Sequence, residues 1–187
     1  RRKNKDSKNY QTFRKKKEFN NQLDKCYLLL GKAYFYKKKY TMANNTFRFI
    51  QRQYAEDEAL MTEVSIWLFR SLTEMGRYEE AARIMDRLDG STLKRKQREM
   101  VAAARTDFYV RQGMYEQAIP EAERLVRTCK SIKRKPRYNF LLSQLYVKEN
   151  QDGAAKLALR KATRFNFNYE MVFNARIGMA SAYQEGD

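Results

Sequence analysis

Four alanines divide this sequence into nearly equal lengths, and that spacing constrains the fold more than any other feature. Ala43, Ala81, Ala118 and Ala155 are separated by 38, 37 and 37 residues. Each follows a short polar or glycine-containing stretch, in "KKKYTMANNTF", "MGRYEEAARIM", "RQGMYEQAIPEA" and "KENQDGAAKLAL". Nine residues before each alanine stand Tyr34, Leu72, Tyr109 and Tyr146. A period of this length belongs to stacked supersecondary units, each of which buries its apolar face only against its neighbours.

The units are helical. Pro (2) and Gly (7) are scarce in the 187 residues, and no Val/Ile/Thr alternation marks a strand. Apolar periodicity predicts helices over 20–37, 40–53, 57–75, 78–88, 93–112, 115–129, 134–149, 151–164 and 169–184. That makes four antiparallel pairs and the first helix of a fifth. Pro120 falls several residues into its helix, where it is expected to delay the start or kink the axis. The first unit reads Tyr27-x2-Leu30-Gly31-x2-Tyr34, then Ala43-x3-Phe47. It resembles the tetratricopeptide repeat pattern W-x2-L-G-x2-Y…A-x3-F, with Tyr in place of Trp. The resemblance implies an all-α, right-handed solenoid of about four and a half repeats, with units near 24–61, 62–98, 99–135, 136–172 and 173–187. On that pattern Tyr27, Leu30, Tyr34 and Phe47 are core, and Gly31 and Ala43 let paired helices approach. Later units depart from it: Arg105 and Thr106 replace the Leu-Gly pair, and Asp152 stands where the first unit has Tyr40.

Charge is high and uneven. Net charge is +17, from 39 basic and 22 acidic residues, which favours anionic partners. Residues 1–17 hold nine Lys/Arg against Asp6 alone and read as a separate basic lead-in, whereas 18–187 form the repeat domain. Residues 55–90 are net acidic, with nine carboxylates against four arginines. Lys37, Lys38 and Lys39 fall at a turn and suit the negative end of the preceding helix. The clusters "KRKQR" (94–98) and "KSIKRKPR" (130–137) fall at connections between successive pairs, along one edge of a solenoid. That places Lys94, Arg95, Lys96, Arg98, Lys130, Lys133, Arg134 and Lys135 on a basic ridge, either solubilising charge or a surface for an acidic partner.

Catalytic chemistry finds no footing here. Histidine is absent, and no Gly-rich phosphate loop, G-x-S-x-G or HExxH motif occurs. No catalytic residue, cofactor, metal site or small-molecule substrate is expected, although a repeat domain can serve an enzyme whose catalysis lies elsewhere in a longer chain. Cys26 and Cys129 lie nearly three repeats apart, too far to pair across helices packed about 8–10 Å apart, and are expected as free, buried thiols. RNA-binding signatures are missing, and the aromatics recur at packing intervals, which disfavours nucleic acid. A basic helical repeat binding RNA or another polyanion remains the alternative class.

A peptide groove is the expected binding surface. In repeats of this type the second, fifth, ninth and twelfth positions of each first helix line the concave face. Here these include Lys25, Leu28, Lys32 and Phe35, then Glu63, Ile66 and Arg70, then Asp107, Arg137, Phe140 and Gln144. Their mixture of charge and apolar surface suits an extended peptide or a partner's helix. Lys32 occupies a place where chaperone-binding carboxylate clamps need Asn, so a co-chaperone adaptor is not expected.

Two stretches, "EFNNQLDKCYLLLGKAYFYKKKY" (18–40) and "YEMVFNARIGMASAY" (169–183), resemble the repeat region of SprE/PorW-type lipoproteins, as does the course of 67–88. The resemblance implies a protein–protein interaction scaffold of the Bacteroidetes type IX secretion and gliding machinery. It also implies a place at the periplasmic face of the outer membrane, with other secretion subunits as partners. Membrane contact would come only through a lipid on a cysteine upstream of the present sequence, which opens abruptly on "RRKNKDSK" and reads as part of a longer protein. Neither Cys26 nor Cys129 is that residue.

Overall fold

The computed structural model describes residues 22–89, 93–163, 173, 174 and 177. Among the described residues there are eight α-helices and no strands: α1 (Leu23–Tyr36), α2 (Tyr40–Gln53), α3 (Glu58–Glu74), α4 (Tyr78–Asp89), α5 (Arg95–Arg111), α6 (Tyr115–Thr128), α7 (Lys135–Lys148) and α8 (Asp152–Thr163). The boundaries expected for these eight lie within three residues of the observed ones. Most of the ninth expected helix and the basic segment 1–17 lie outside the described residues, although 173, 174 and 177 are helical. The chain divides into two compact units, Arg1–Val64 and Ser65–Asp187, with the boundary inside α3.

One backbone turn recurs four times and explains the period. Lys38, Gly76, Gly113 and Asn150 all have positive φ, at 58°, 71°, 72° and 55°. The next N–H in each case, from Lys39, Arg77, Met114 and Gln151, donates to the carbonyl of Tyr34, Leu72, Tyr109 or Tyr146 at 2.8–2.9 Å. Each left-handed residue itself donates to the carbonyl three residues back, on Phe35, Thr73, Val110 or Val147. This is the Schellman arrangement, which satisfies helix-end carbonyls with backbone alone. The second helix starts at once: the carbonyls of Lys39, Arg77, Met114 and Gln151 accept from Ala43, Ala81, Ala118 and Ala155. All four alanines are completely buried, so the column is alanine because the turn presses it against the partner helix.

Size complementarity then fits each pair together. In the first unit, a Cβ on Gly31 would lie 2.8 Å from Phe47 Cζ and 2.9 Å from its Cδ1. The ring, itself fully buried, fills the space that glycine leaves. Tyr27 meets Phe49 with ring centroids 4.8 Å apart, and Phe35 meets Tyr40 at 5.4 Å. In the second unit Phe108 joins Phe69 and Tyr78, with ring centroids 5.4 and 5.8 Å away. A separate cluster of Ala118, Ala122, Leu142, Leu145, Tyr146, Ala155 and Ala158 joins α6, α7 and α8.

Two local expectations need correction. Leu30 is 42% exposed rather than core, whereas Leu68 and Leu142 in the same repeat column are buried. Arg105 occupies that column in the third unit and is buried as well. Its guanidinium lies 3.4 Å from Glu121 Oε1 on α6 and donates to the Met85 carbonyl at 3.3 Å. Those partners offset the desolvation that would otherwise exclude a charge there. Pro120 does not delay α6, of which it is the sixth residue. The ring is exposed, and the carbonyl it deprives of a donor belongs to Glu116, which is exposed as well.

Two measurements test this packing. Gly31→Ala forces the Phe47 ring to move and should lose about 1–2 kcal/mol, overpacking outweighing the gain in helix propensity. In a urea-unfolding double-mutant cycle, Phe47→Leu should cost less when combined with Gly31→Ala than when made alone. At the turns, Lys38→Gly and Asn150→Gly should each stabilise by about 0.5–1 kcal/mol, and Gly76→Ala should destabilise by about 1 kcal/mol.

Candidate functional site

The second compact unit carries a cleft between α6 and α8 with α7 as its floor. Its wider part, about 830 Å3, runs along the connection from α6 to α7. Arg127, Lys130, Lys135 and Lys161 line it together with Val126, Ile132, Pro136 and Asn139, and no carboxylate does among the described residues. A narrower part of about 250 Å3 shares Val126, Arg127, Asn139 and Lys161 and continues past Leu142, Tyr146 and Leu157. Leu157 and Ile132 are 52% and 59% exposed. A second cleft of about 530 Å3 between α4 and α6 is also basic, lined by Arg98, Arg105, Arg124 and Arg127.

The connection that shapes the wide cleft is locally determined. The Ser131 carbonyl accepts from the N–H groups of Arg134 and Lys135, and its hydroxyl also accepts from the Arg134 N–H. Pro136 sits in the first turn of α7, where its missing N–H costs nothing. Asn139 donates to the Lys135 carbonyl at 2.9 Å. The electrostatics of that helix start are unfavourable. α7 opens on Lys135 and Arg137 with no acidic residue in its first turn, and α5 likewise opens on Arg95, Lys96 and Arg98. The other helices all begin with acids: Asp24, Glu58, Glu79 with Glu80, Glu116 and Asp152, except that the first turn of α2 has none. Cations at the positive end of a helix dipole lower stability by a few tenths to about 1 kcal/mol each.

The two basic sequence clusters do come together. Arg95 donates to the Thr128 carbonyl at 3.4 Å, and Arg134 lies 2.8 Å from Glu99 Oε1. These contacts also assign two of the predicted edge residues to structural work. Arg95 satisfies the end of α6, and Arg134 neutralises Glu99, whose side chain is only 6% exposed. Lys130 and Lys135 line the wide cleft and Arg98 the second cleft, while Lys94, Lys96 and Lys133 are exposed. The Lys94 N–H donates to Gln97 Oε1.

The predicted groove is largely committed elsewhere. Ile66 is completely buried, and Leu28 and Phe35 are 9% and 7% exposed, so these three are core rather than partner contacts. The cause at Ile66 is that residues 66–69 and 71–73 of α3 are all buried, leaving that helix almost no open face. Lys32 and Glu63 pair with each other at 2.6 Å. Arg70 lies over the Trp67 ring at 4.4 Å. Asp107 holds Arg111, which also reaches Glu74 at 2.8 Å. Lys25, Arg137 and Gln144 are exposed, and Phe140 is half-buried. Lys25 donates to Gln22 Oε1.

Residues beside the clefts have shifted titration. Tyr146 donates to Glu123 Oε1 at 2.6 Å. Burial first, and that hydrogen bond second, push its phenol up to about 12. Burial also raises the Cys129 thiol and the Tyr138 phenol, with the Glu99 charge adding to both. Cys129 is therefore buried and protonated at neutral pH, whereas Cys26, expected to be buried, is exposed; both are free thiols. No group of three or more His, Cys, Asp or Glu able to hold a metal occurs among the described residues. No described helix is long and apolar enough to cross a membrane.

Sequence reasoning missed Arg127 and Lys161. Both lie within helices outside the charge runs, and only the packing of α6 and α8 against α7 brings them to one cleft. The lack of any acid at the start of α7 was the available signal.

Comparison with known proteins agrees with this architecture. Residues 136–169, which begin at Pro136 and include all of α8, match the tetratricopeptide repeat model. The solved structure of a MamA RS-1 ArsTM double mutant is similar, with a TM-score of 0.58 and 14% identity over 91% of this chain and 99% of that one. At that identity the likeness is one of fold, an all-α, tetratricopeptide-repeat-like solenoid. No curated protein matches the sequence.

The raised phenol gives a pH signature. Stability from the Tyr146–Glu123 contact is complete below pH 10 and is lost as pH rises through about 12. Between pH 8 and pH 11, Tyr146→Phe should therefore lose less of its urea midpoint than the parent protein.

Proposed function

We propose that the chain is a non-catalytic protein–protein interaction scaffold. The observation that carries this is the fourfold hairpin built on one turn geometry, with a tetratricopeptide repeat match at 136–169. Such an array spends its sequence on stacking and offers long faces to partners. The resemblance of 18–40 and 169–183 to SprE/PorW-type repeats supports a finer placement, in the type IX secretion and gliding machinery. There the protein would sit at the periplasmic face of the outer membrane, held by a lipid upstream, and would join other subunits of the secretion complex. Its domain plan is a basic lead-in, 1–17, before repeats near 24–61, 62–98, 99–135 and 136–172 and a partial one at 173–187.

Quantitative pull-down with the tagged protein from detergent-solubilised outer membranes tests both levels. Stoichiometric recovery of a secretion-machinery subunit is the expected result. Recovery of other protein subunits in its place would leave the scaffold standing and remove the secretion role, as would an upstream coding sequence without a lipoprotein signal. Recovery of RNA at physiological salt, with no stoichiometric protein, would overturn the scaffold itself.

A further inference from the structure

We infer that the cleft between α6 and α8 is a docking site for an acidic, leucine-bearing segment of a partner protein, bound on the side of the second helices of the pairs. This site presupposes the scaffold role proposed above and says which face serves it.

Charge complementarity is the first reason. Arg127, Lys130, Lys135 and Lys161 converge on the wide part of one cleft, where no carboxylate stands among the described lining residues. They come from α6, the connection, α7 and α8, so the fold and not a single charge run assembles them. The start of α7 is the second reason. Lys135 and Arg137 stand at the positive end of a helix dipole without one acid in the first turn. That arrangement works against the helix, and a bound carboxylate would relieve it. Lys135 and Arg137 are both exposed, and the carboxylate packed beside this helix start, Glu99 of α5, is paired with Arg134.

The apolar half of the cleft selects the class of partner. Past Arg127 and Lys161 the lining changes to Val126, Leu142, Ala154 and Leu157, with Leu157 half open to solvent; the one acid there, Glu123, is held by the Tyr146 hydroxyl and Arg127. A nucleic-acid backbone has nothing aliphatic to place there. Stacking of a base is also poorly served, because Tyr146 is 9% exposed and its hydroxyl is tied to Glu123. A peptide with carboxylates at one end and leucine-like side chains one or two helical turns further on matches both halves.

The test is selection followed by titration. A phage-displayed random peptide library is panned against the full chain at about 0.15 M salt, an ionic strength that screens weak surface pairing. A consensus peptide is then titrated by fluorescence anisotropy. Enriched peptides should combine Asp or Glu with Leu, Ile or Phe. Lys130→Glu/Lys135→Glu should weaken the consensus peptide at least about tenfold, and Leu157→Ser about three- to tenfold. Gln144→Ala, on the opposite expectation of a first-helix groove, should leave affinity unchanged. The charge reversal should keep or raise the thermal midpoint, which separates lost binding from lost folding. Peptides that instead depend on Gln144 and not on Lys130, Lys135 or Leu157 would overturn this site and keep the scaffold. A 16-nucleotide single-stranded RNA or phosphatidylserine-containing vesicles binding more tightly than any peptide, with no effect of Leu157→Ser, would overturn it in favour of a general polyanion surface. Failure to enrich any acidic–apolar peptide would overturn it outright.

Discussion

The left-handed residue at the end of each first helix is the constraint on which the remaining structure depends. A chain that reverses through Lys38, Gly76, Gly113 or Asn150 has no choice about where the next helix begins. Its first turn is fixed two residues later, and its fourth residue is driven against the partner helix. Alanine at 43, 81, 118 and 155 follows from that geometry, as does the nine-residue interval back to the carbonyl that closes the turn. Two of the four positions use Lys and Asn, not Gly, and accept backbone strain of about 1 kcal/mol or more. Enough burial follows from the turn for that cost to be tolerated.

Electrostatics in this protein divides sharply between interior and surface. Inside, Arg105 replaces a leucine of the repeat and is held by Glu121 and a main-chain carbonyl. Glu99 is similarly enclosed, with Arg134 as its counter-charge. These pairs add little net stability over apolar packing, yet removing one partner would strand a buried charge. On the surface the excess of cations is less evenly spread than a net charge suggests. It gathers at the starts of α5 and α7, where helix dipoles make it most costly, and along the clefts beside α6.

Helix positions were legible in the sequence because apolar periodicity and the alanine column report the same hairpin twice over. Gly31 and Ala43 could be read as close-approach positions and Phe47 as core, but the seating of the Phe47 ring on Gly31 emerged only from the fold. What could not be read was which face each first helix shows to solvent. Ile66 has the spacing of a groove residue, but α3 is buried around almost its whole circumference. Leu30 has the spacing of a core residue and is exposed. Periodicity along one helix fixes relative angle, and burial depends on what other helices cover. For the same reason runs of lysine were visible at 130–135, whereas the contribution of Arg127 and Lys161 to the same cleft emerged only from packing.

The close approach of Gly31 to the Phe47 ring bears on how such an array can be inherited. Phe69 stands in the column of Gly31, and Ala122 stands in the column of Phe47. An α1 placed beside Ala122 would face a hole, and an α3 placed beside Phe47 would meet two phenylalanines competing for one space. Recombination that cuts between hairpins preserves every such match, and recombination that cuts at a Schellman turn destroys one. The hairpin, and not the helix, is thus the unit that duplication can copy and divergence can then degrade.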